Sequence, residues 1–291
     1  MQKTSMQVPQ SIGVIGAGQM GLGIAQLCLE CRLSVVLHDV APILLDRARR
    51  EIKERLWRSK TRPEDLSPEE ALKNLVLSDS LRDLHTCNFV IEAIFESYEA
   101  KEGLFERLKE YTTSGAILVT NTSSLSVARL ARHAPNPSRF LGFHFMNPAS
   151  RIPLIELIRA PETEDAVFHQ CQDFAHFLGK TFIVSHDAPA FVLNRVLIPM
   201  MNEAMHVLEE RIAIAEDIDT ALTLGAQHPI GPLHLADFIG LDVVLAILKT
   251  LHTERGEKYR PSALLIEYVE KGWLGRKSGR GFFIYEERGS F

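Results

Sequence analysis

Cysteine is scarce in this chain, with four residues in 291, too few for a disulfide scaffold. No apolar stretch runs unbroken for the ~20 residues that a membrane helix requires. The most apolar candidate, Leu233 to Leu248, is interrupted by His234, Asp237 and Asp242. Neither sign of charge dominates: 32 basic residues against 37 acidic give a net charge of −5. A chain-wide cationic surface for nucleic acid or anionic lipid is therefore not expected, although a local basic pocket for an anionic small molecule remains open. The polar N-terminus, Met1 to Gln10, lacks the apolar core of a secretory signal. Without such a signal the Asn121-Thr122-Ser123 sequon carries no glycosylation. Repeats and low-complexity segments are also missing. What remains is ordinary globular composition, 46% hydrophobic and 24% charged, and a length that predicts two domains. A soluble, cytoplasmic protein is expected. Cys28 and Cys31 spell C-x-x-C, but inside an apolar stretch that reads as a buried helix. A redox pair usually opens a helix, so these read as inert core thiols.

The first half alternates strand and helix. Strands are predicted at Ile12–Gly16, Ser34–His38, Leu75–Leu77, Asn88–Ile94, Ala116–Val119 and Phe140–Phe145. Helices are predicted at Met20–Cys31, from Pro42 to about Lys60, and near Tyr98–Tyr111 and Ser124–His133. Two further strands, Leu154–Ile158 and Thr181–Ser185, flank a helix over about 164–178. Leu66–Ala71, with Ser67 and Pro68, reads as a short loop and helix start. This order predicts an α/β, Rossmann-type, doubly wound and mostly parallel sheet. After Asp187-Ala188-Pro189 the character turns helical, with Phe191–Arg211, Glu216–Leu224, Leu233–Leu251 and Ser262–Glu270, and one last strand at Gly281–Tyr285. The predicted domains are 1–187, which binds the dinucleotide, and 188–291, an all-α domain for substrate closure and dimerisation.

Gly16-Ala17-Gly18-Gln19-Met20-Gly21 is a G-x-G-x-x-G. Alone that pattern is weak, but here it follows a predicted strand and opens a helix. Gly16 permits the tight turn, Gly18 lets backbone approach a pyrophosphate, and Gly21, helped by Gly23, lets helix and strand pack closely. Gln19 and Met20 open the helix, whose free N–H groups and positive dipole end suit a diphosphate. Asp39 closes the second strand, 18 residues after Gly21. An acidic side chain there accepts hydrogen bonds from the adenosine ribose and repels a 2′-phosphate. NAD is thus expected, in preference to NADP. A plain turn and a strand-end solvating carboxylate are the plainer reading of the same residues.

Oxidation of an alcohol by NAD needs a base for the hydroxyl proton, and no metal if a histidine supplies it. His144 ends a predicted strand on the sheet edge where ligands of such folds bind. Glu156, 12 residues later, interrupts the apolar run Leu154-Ile155-Glu156-Leu157-Ile158, so it is either buried with a partner or on a solvent face. A carboxylate beside the imidazole would fix its tautomer and stabilise the imidazolium. The spacing permits that contact without requiring it. Ser123 follows the strand at Ala116–Val119, where its hydroxyl can donate to the substrate oxygen. A helix N-cap is its alternative role, one that Ser124 or Thr122 could fill instead. Asn194 can hydrogen-bond substrate or the histidine's surroundings, or be a satisfied polar helix residue.

Together with the glycine motif, Asn121-Thr122-Ser123-Ser124-Leu125, His144-Phe145-Met146-Asn147-Pro148 and Asn194-Arg195 stand in the order found in the 3-hydroxyacyl-CoA dehydrogenases. Within that family the chain most resembles the short-chain 3-hydroxybutyryl-CoA dehydrogenases. Gly225-Ala226, Pro229-Ile230-Gly231-Pro232, Gly240-Leu241-Asp242 and Gly279-Arg280-Gly281-Phe282-Phe283 resemble its helical domain, so the likeness spans nearly the whole chain. The resemblance implies a His144–Glu156 pair with Ser123 and Asn194 as its active-site companions. It also implies cofactor contacts from Glu96, Lys101, Asn147 and the tail lysine Lys277, an acyl-CoA substrate, and a homodimer formed through the helical domain. From sequence alone Glu96 and Lys101 are an ordinary charge pair at a helix start. The basic cluster Arg49, Arg50, Lys53, Arg55, Arg58 and Lys60 suits CoA phosphates, or equally a solvated helix face. The chain departs from the family pattern at Ala190, where Gly is usual, at Ser150 and Pro153, where Pro and Lys are usual, and in a short segment between Lys60 and Leu75. Substrate identity is the expectation most exposed to these departures. Two other functions stay open: a related dehydrogenase of a non-CoA hydroxy acid, of carnitine or gulonate type, and a non-catalytic NAD-binding structural protein.

Overall fold

Short β-branched and aliphatic runs bounded by glycine or polar residues build the sheet of the first unit. A computed structural model describes residues 9–285, so the expectation for Met1 to Gln10 lies almost wholly outside the described residues. Strands β1 (Ser11–Ile15), β2 (Ser34–His38), β3 (Leu75–Ser78), β4 (Phe89–Glu92), β5 (Ile117–Thr120), β6 (Phe140–Phe145), β7 (Leu154–Arg159) and β8 (Thr181–Ser185) form one sheet in the order β3-β2-β1-β4-β5-β6-β7-β8. Helices α1 (Gln19–Glu30), α2 (Pro42–Arg58), α3 (Pro68–Lys73), α4 (Tyr98–Leu108), α5 (Val127–Ala131) and α6 (Asp165–Phe177) connect the strands. All pairings are parallel except β6–β7. The exception follows from chain length: only residues 146–153 join β6 to β7, and a parallel crossover needs a dozen or more.

The chain folds as two compact units, 1–188 and 189–291. The core of the first runs from β1 and α1 through Phe89, Phe143, Phe145 and Phe174, with Phe89 and Phe174 ring centroids 4.5 Å apart. Cys28 lies in this core. All four cysteines are free thiols, and burial pushes the Cys28 thiol far up and the Cys31 thiol up to about 11. Neither has the lowered pKa that makes a thiol reactive.

The second unit packs α7 (Leu193–Glu209), α8 (Ala215–Thr220), α9 (Pro232–Ile239), α10 (Leu241–Arg255) and α11 (Ala263–Glu270) about Ile198, Met201, Leu233, Leu248 and Leu265. Ala190 and Phe191, which precede α7, both take left-handed backbone, at φ 63° and 51°. Glycine adopts that conformation freely; an L-residue there costs roughly 1 kcal/mol.

Three expectations fail, each for a local reason. The helix predicted over Leu233–Leu251 is two helices, α9 and α10, because Gly240 turns the chain at φ +107°. The helix predicted from Ser124 starts at Val127, since residues 122–124 wrap around a carboxylate and Ser126 is the N-cap that accepts from the Arg129 N–H. Gly281–Tyr285 forms only isolated bridges. The Phe282 and Phe283 N–H groups and the Tyr285 hydroxyl all donate to the buried Asp237 carboxylate instead of to a neighbouring strand.

Candidate active site

Strand alternation places the two groups of greatest chemical interest. Phe143 and Phe145 point into the core with Ile155 and Leu157 of the neighbouring strand, so His144 and Glu156 share the opposite face. The antiparallel register sets them directly across from one another, the arrangement in which side chains meet. His144 Nδ1 lies 2.8 Å from Glu156 Oε2. Glu156 is wholly buried, and 8% of the His144 side chain is exposed. The loop between them is held by a residue that sequence reading passed over. Lys180 is buried and donates to the Ala149, Ser150 and Ile152 carbonyls at 2.7, 3.4 and 2.9 Å. Burial lowers its pKa.

The neighbouring strand brings the Asn121–Ser124 turn to the same edge. The Phe145 N–H, next to His144, donates to Asn121 Oδ1 at 2.8 Å. The turn itself is organised by Glu96. Its Oε1 accepts from Thr122 Oγ1 at 2.7 Å, from the Ser123 and Ser124 N–H groups at 2.8 and 3.0 Å, and from the two serine hydroxyls at 3.1 and 3.2 Å. Burial opposes ionisation of Glu96, but the Lys101 ammonium and the bonds from Thr122 and Ser123 outweigh it and hold the carboxyl below the usual carboxylate range. Ser123 is therefore not a helix cap. Its hydroxyl rests on Glu96.

Lys101 is not an ordinary surface partner of Glu96. It is completely buried, 2.5 Å from Glu92 Oε1 and 3.5 Å from Glu96 Oε2. Glu92 goes unremarked in the sequence reading, although it interrupts the apolar run Phe89-Val90-Ile91-Glu92-Ala93-Ile94 as Glu156 interrupts its own. The lysine nine residues later says nothing about burial.

The three glycines of the motif meet different steric surroundings. Gly16 sits at φ +106°, and a Cβ there would lie 2.5 Å from the Ala93 carbonyl oxygen. A Cβ on Gly21 would lie 1.7 Å from the Gly16 carbonyl oxygen. Gly18, the N-cap of α1, has no atom within 4 Å of its own Cβ position and no side-chain cap. The fold does not need its missing side chain, which leaves the space for a ligand. Asp39 closes the loop, taking the Ala17 N–H at 2.7 Å and the Ala41 N–H at 2.9 Å. Gln19 reaches from the loop to Asn147 Oδ1, 3.4 Å away, and Met20 packs against the core. An exposed α1 N-terminus, an open glycine and a carboxylate at the end of β2 together fit a dinucleotide.

A paired substitution tests this division. Gly18→Ala should leave stability within about 1 kcal/mol of wild type, yet raise the Kd for NAD by roughly tenfold or more. Gly21→Ala should destabilise by about 3 kcal/mol or more, because backbone must move. Urea unfolding and NAD titration read both effects. Wild-type NAD affinity in Gly18→Ala would show that the loop cradles nothing.

Two predicted site residues belong to the second unit. Asn194 is the second residue of α7 and half-buried. Lys277 forms an ion pair with Asp242, 2.5 Å away, beside Gly240. On α2, Arg49 donates to the Leu75 carbonyl and Lys53 pairs with Glu69, whereas Arg50 and Arg58 on the helix, and Lys60 just beyond it, are exposed with no ion pair among the described residues. Among the described residues no group of three or more His, Cys, Asp or Glu could hold a metal ion, and no helix is long and apolar enough to cross a membrane.

Residues 11–188 match the family model of the 3-hydroxyacyl-CoA dehydrogenase NAD binding domain, and residues 191–285 that of the 3-hydroxyacyl-CoA dehydrogenase C-terminal domain. The chain is similar to a 3-hydroxybutyryl-CoA dehydrogenase of Bradyrhizobium diazoefficiens, 46% identical over 96% of each chain. A probable 3-hydroxybutyryl-CoA dehydrogenase of Bacillus subtilis is 41% identical, over 98% of this chain and 100% of that one. Among solved structures, an (S)-3-hydroxybutyryl-CoA dehydrogenase from Ralstonia eutropha superposes with a TM-score of 0.90 at 39% identity, covering 96% of this chain and 100% of that one.

Proposed function

We propose that this chain, which belongs to the 3-hydroxyacyl-CoA dehydrogenase family and is an NAD-dependent oxidoreductase, oxidises (S)-3-hydroxyacyl-CoA thioesters to 3-oxoacyl-CoA and runs the reverse reduction. The observation that carries the reading is the 2.8 Å contact between His144 and the buried Glu156 at the ligand-binding edge of the sheet. NAD supplies the acceptor for the hydride that leaves the hydroxyl-bearing carbon. His144 takes the hydroxyl proton as the C=O bond forms, and returns it in the reduction. Donation from Nδ1 to Glu156 leaves Nε2 as the basic nitrogen, and the carboxylate balances the imidazolium charge. Ser123 turns its hydroxyl from Glu96 to the substrate oxygen. That exchange costs little, since Glu96 Oε1 keeps four other donors.

The Gly16–Gly21 loop, with Gln19 and Met20, and Asp39 bind the pyrophosphate and adenosine ribose, while Glu96, Lys101 and Asn147 are assigned to the nicotinamide side on the family resemblance. Asn194, as a hydrogen-bond donor to substrate, and Lys277, as a cofactor contact, rest on the family resemblance. An acyl-CoA substrate is supported by the names of the relatives and by the uncommitted charges of Arg50, Arg58 and Lys60 on or just beyond α2. A cytoplasmic homodimer belongs to the same reading. Exposed Val196, Ile212, Ile214 and Leu224 in the helical unit are the kind of surface a second subunit covers. Acetoacetyl-CoA-dependent oxidation of NADH by the purified protein tests the reading. Turnover of a free hydroxy or keto acid in its place would overturn the CoA assignment, and no turnover of either would leave an NAD-binding protein without this activity.

A further inference from the structure

Glu92 has no part in the chemistry described above, yet it sits at the centre of the most deeply buried charge cluster among the described residues. Its carboxylate and the Lys101 side chain are both fully buried. Glu92 Oε1 accepts from Lys101 Nζ at 2.5 Å and from the Ile94 N–H at 2.7 Å, and Oε2 accepts from Thr120 Oγ1 at 2.5 Å. Its main-chain carbonyl takes the Asn121 N–H at 2.8 Å. One residue thus grips the end of β5 twice, at Thr120 and at the first residue of the turn that carries Ser123.

The charges explain why this grip matters beyond packing. Two carboxylates compete for the one buried ammonium, and Glu92 holds it at 2.5 Å against 3.5 Å for Glu96. Glu96 thus faces Lys101 only loosely through Oε2, and its Oε1 stays on the Thr122–Ser124 turn. With the charge on Glu92 removed, Glu96 is the one remaining carboxylate within 4 Å of Lys101 among the described residues. A desolvated ammonium seeks such a partner strongly. Lys101 and Glu96 would then close on each other, drawing Glu96 off the serines it holds. The effect would travel through contiguous ionic contacts from a residue that touches neither substrate nor cofactor.

We propose that Glu92 is a positioning residue for the reaction, which by holding the Lys101 ammonium and the end of β5 keeps Glu96, and through it the Ser123 hydroxyl, in place. The proposal rests on the dehydrogenase reading above. The test is a double-mutant cycle of Glu92→Gln and Ser123→Ala, with kcat and KM measured for acetoacetyl-CoA reduction by NADH, and folding followed by circular dichroism and thermal melting. Glu92→Gln should lower kcat by roughly 10-fold or more. The double variant should be no slower than Ser123→Ala by more than about twofold, since a positioning residue has nothing left to position. If the two losses multiply instead, Glu92 acts on stability or elsewhere and the proposal is overturned. Should Glu92→Gln fail to fold, Glu92→Asp keeps the charge and shortens the reach by one methylene. It should give a smaller kcat loss that likewise vanishes in the Ser123→Ala background, and a loss that persists there overturns the proposal. Wild-type turnover separates the two levels of inference: turnover with an additive cycle removes the role of Glu92 alone, and no wild-type turnover removes the reading and the role together.

Discussion

Replacing His144 with alanine should lower kcat by roughly 10²–10⁴ in both directions, the range that loss of a positioned general acid–base group produces. Cofactor affinity should stay within a few-fold of wild type. The groups assigned to NAD, the Gly16–Gly21 loop and Asp39, make their own local contacts, and none of these involves the imidazole. The substitution also takes a donor from a fully buried carboxylate, and breaking a buried pair costs about 3–5 kcal/mol. His144→Asn therefore belongs in the same experiment, because it keeps an N–H group for Glu156 while removing the base. Equal kcat losses in two variants of different stability would assign the loss to chemistry. Near-wild-type turnover in either would show that another group takes the proton.

Glu156→Gln should cost up to about 10⁴ in kcat, as seen when the carboxylate of a hydrogen-bonded His–carboxylate pair becomes an amide. Glutamine fills the same volume at this fully buried position of β7, so the local packing is retained. Two things change. The amide can present its NH₂ to Nδ1, which selects the wrong tautomer and places the proton on Nε2, where the substrate needs a lone pair. The negative charge that balances the imidazolium also disappears. NAD titration should be unaffected, and the KM for substrate should move much less than kcat. A loss below about fivefold would mean that Glu156 is a structural carboxylate that happens to lie 2.8 Å from the ring, and the pair would have to be abandoned as catalytic machinery.

Both substitutions address a pair whose members were visible in the sequence while their meeting was not. His144 stood at the end of an apolar strand and Glu156 broke the next one, which marked each as unusual. What joined them was the antiparallel register of β6 and β7. A signal for that register was present: residues 146–153 are too few for a parallel crossover, so the chain has to turn back beside itself. The Glu96–Lys101 pair misled in the opposite way. Five residues apart at a helix start, they look like a solvated couple, yet Lys101 is wholly buried and its nearer partner is Glu92. Sequence spacing reports which side chains share a helix face; it carries no information about which strand end lies beneath that helix.

Local chemistry was enough for the alternation of strands and helices in the first unit, the helical character of the second, and the glycine motif with Asp39. Each depends on neighbours in sequence: period-2 or period-3.6 apolarity, a glycine where backbone must approach backbone, and an acidic residue at a strand end. Other features depend on residues far apart in the chain. The capture of the Phe282–Phe283 segment by Asp237, the wrapping of residues 122–124 around Glu96, and the burial of Glu92 with Lys101 all arise where a carboxylate takes whichever N–H and O–H donors the folded chain brings to it. The sequence supplies those carboxylates and donors, and tertiary packing decides which of them meet.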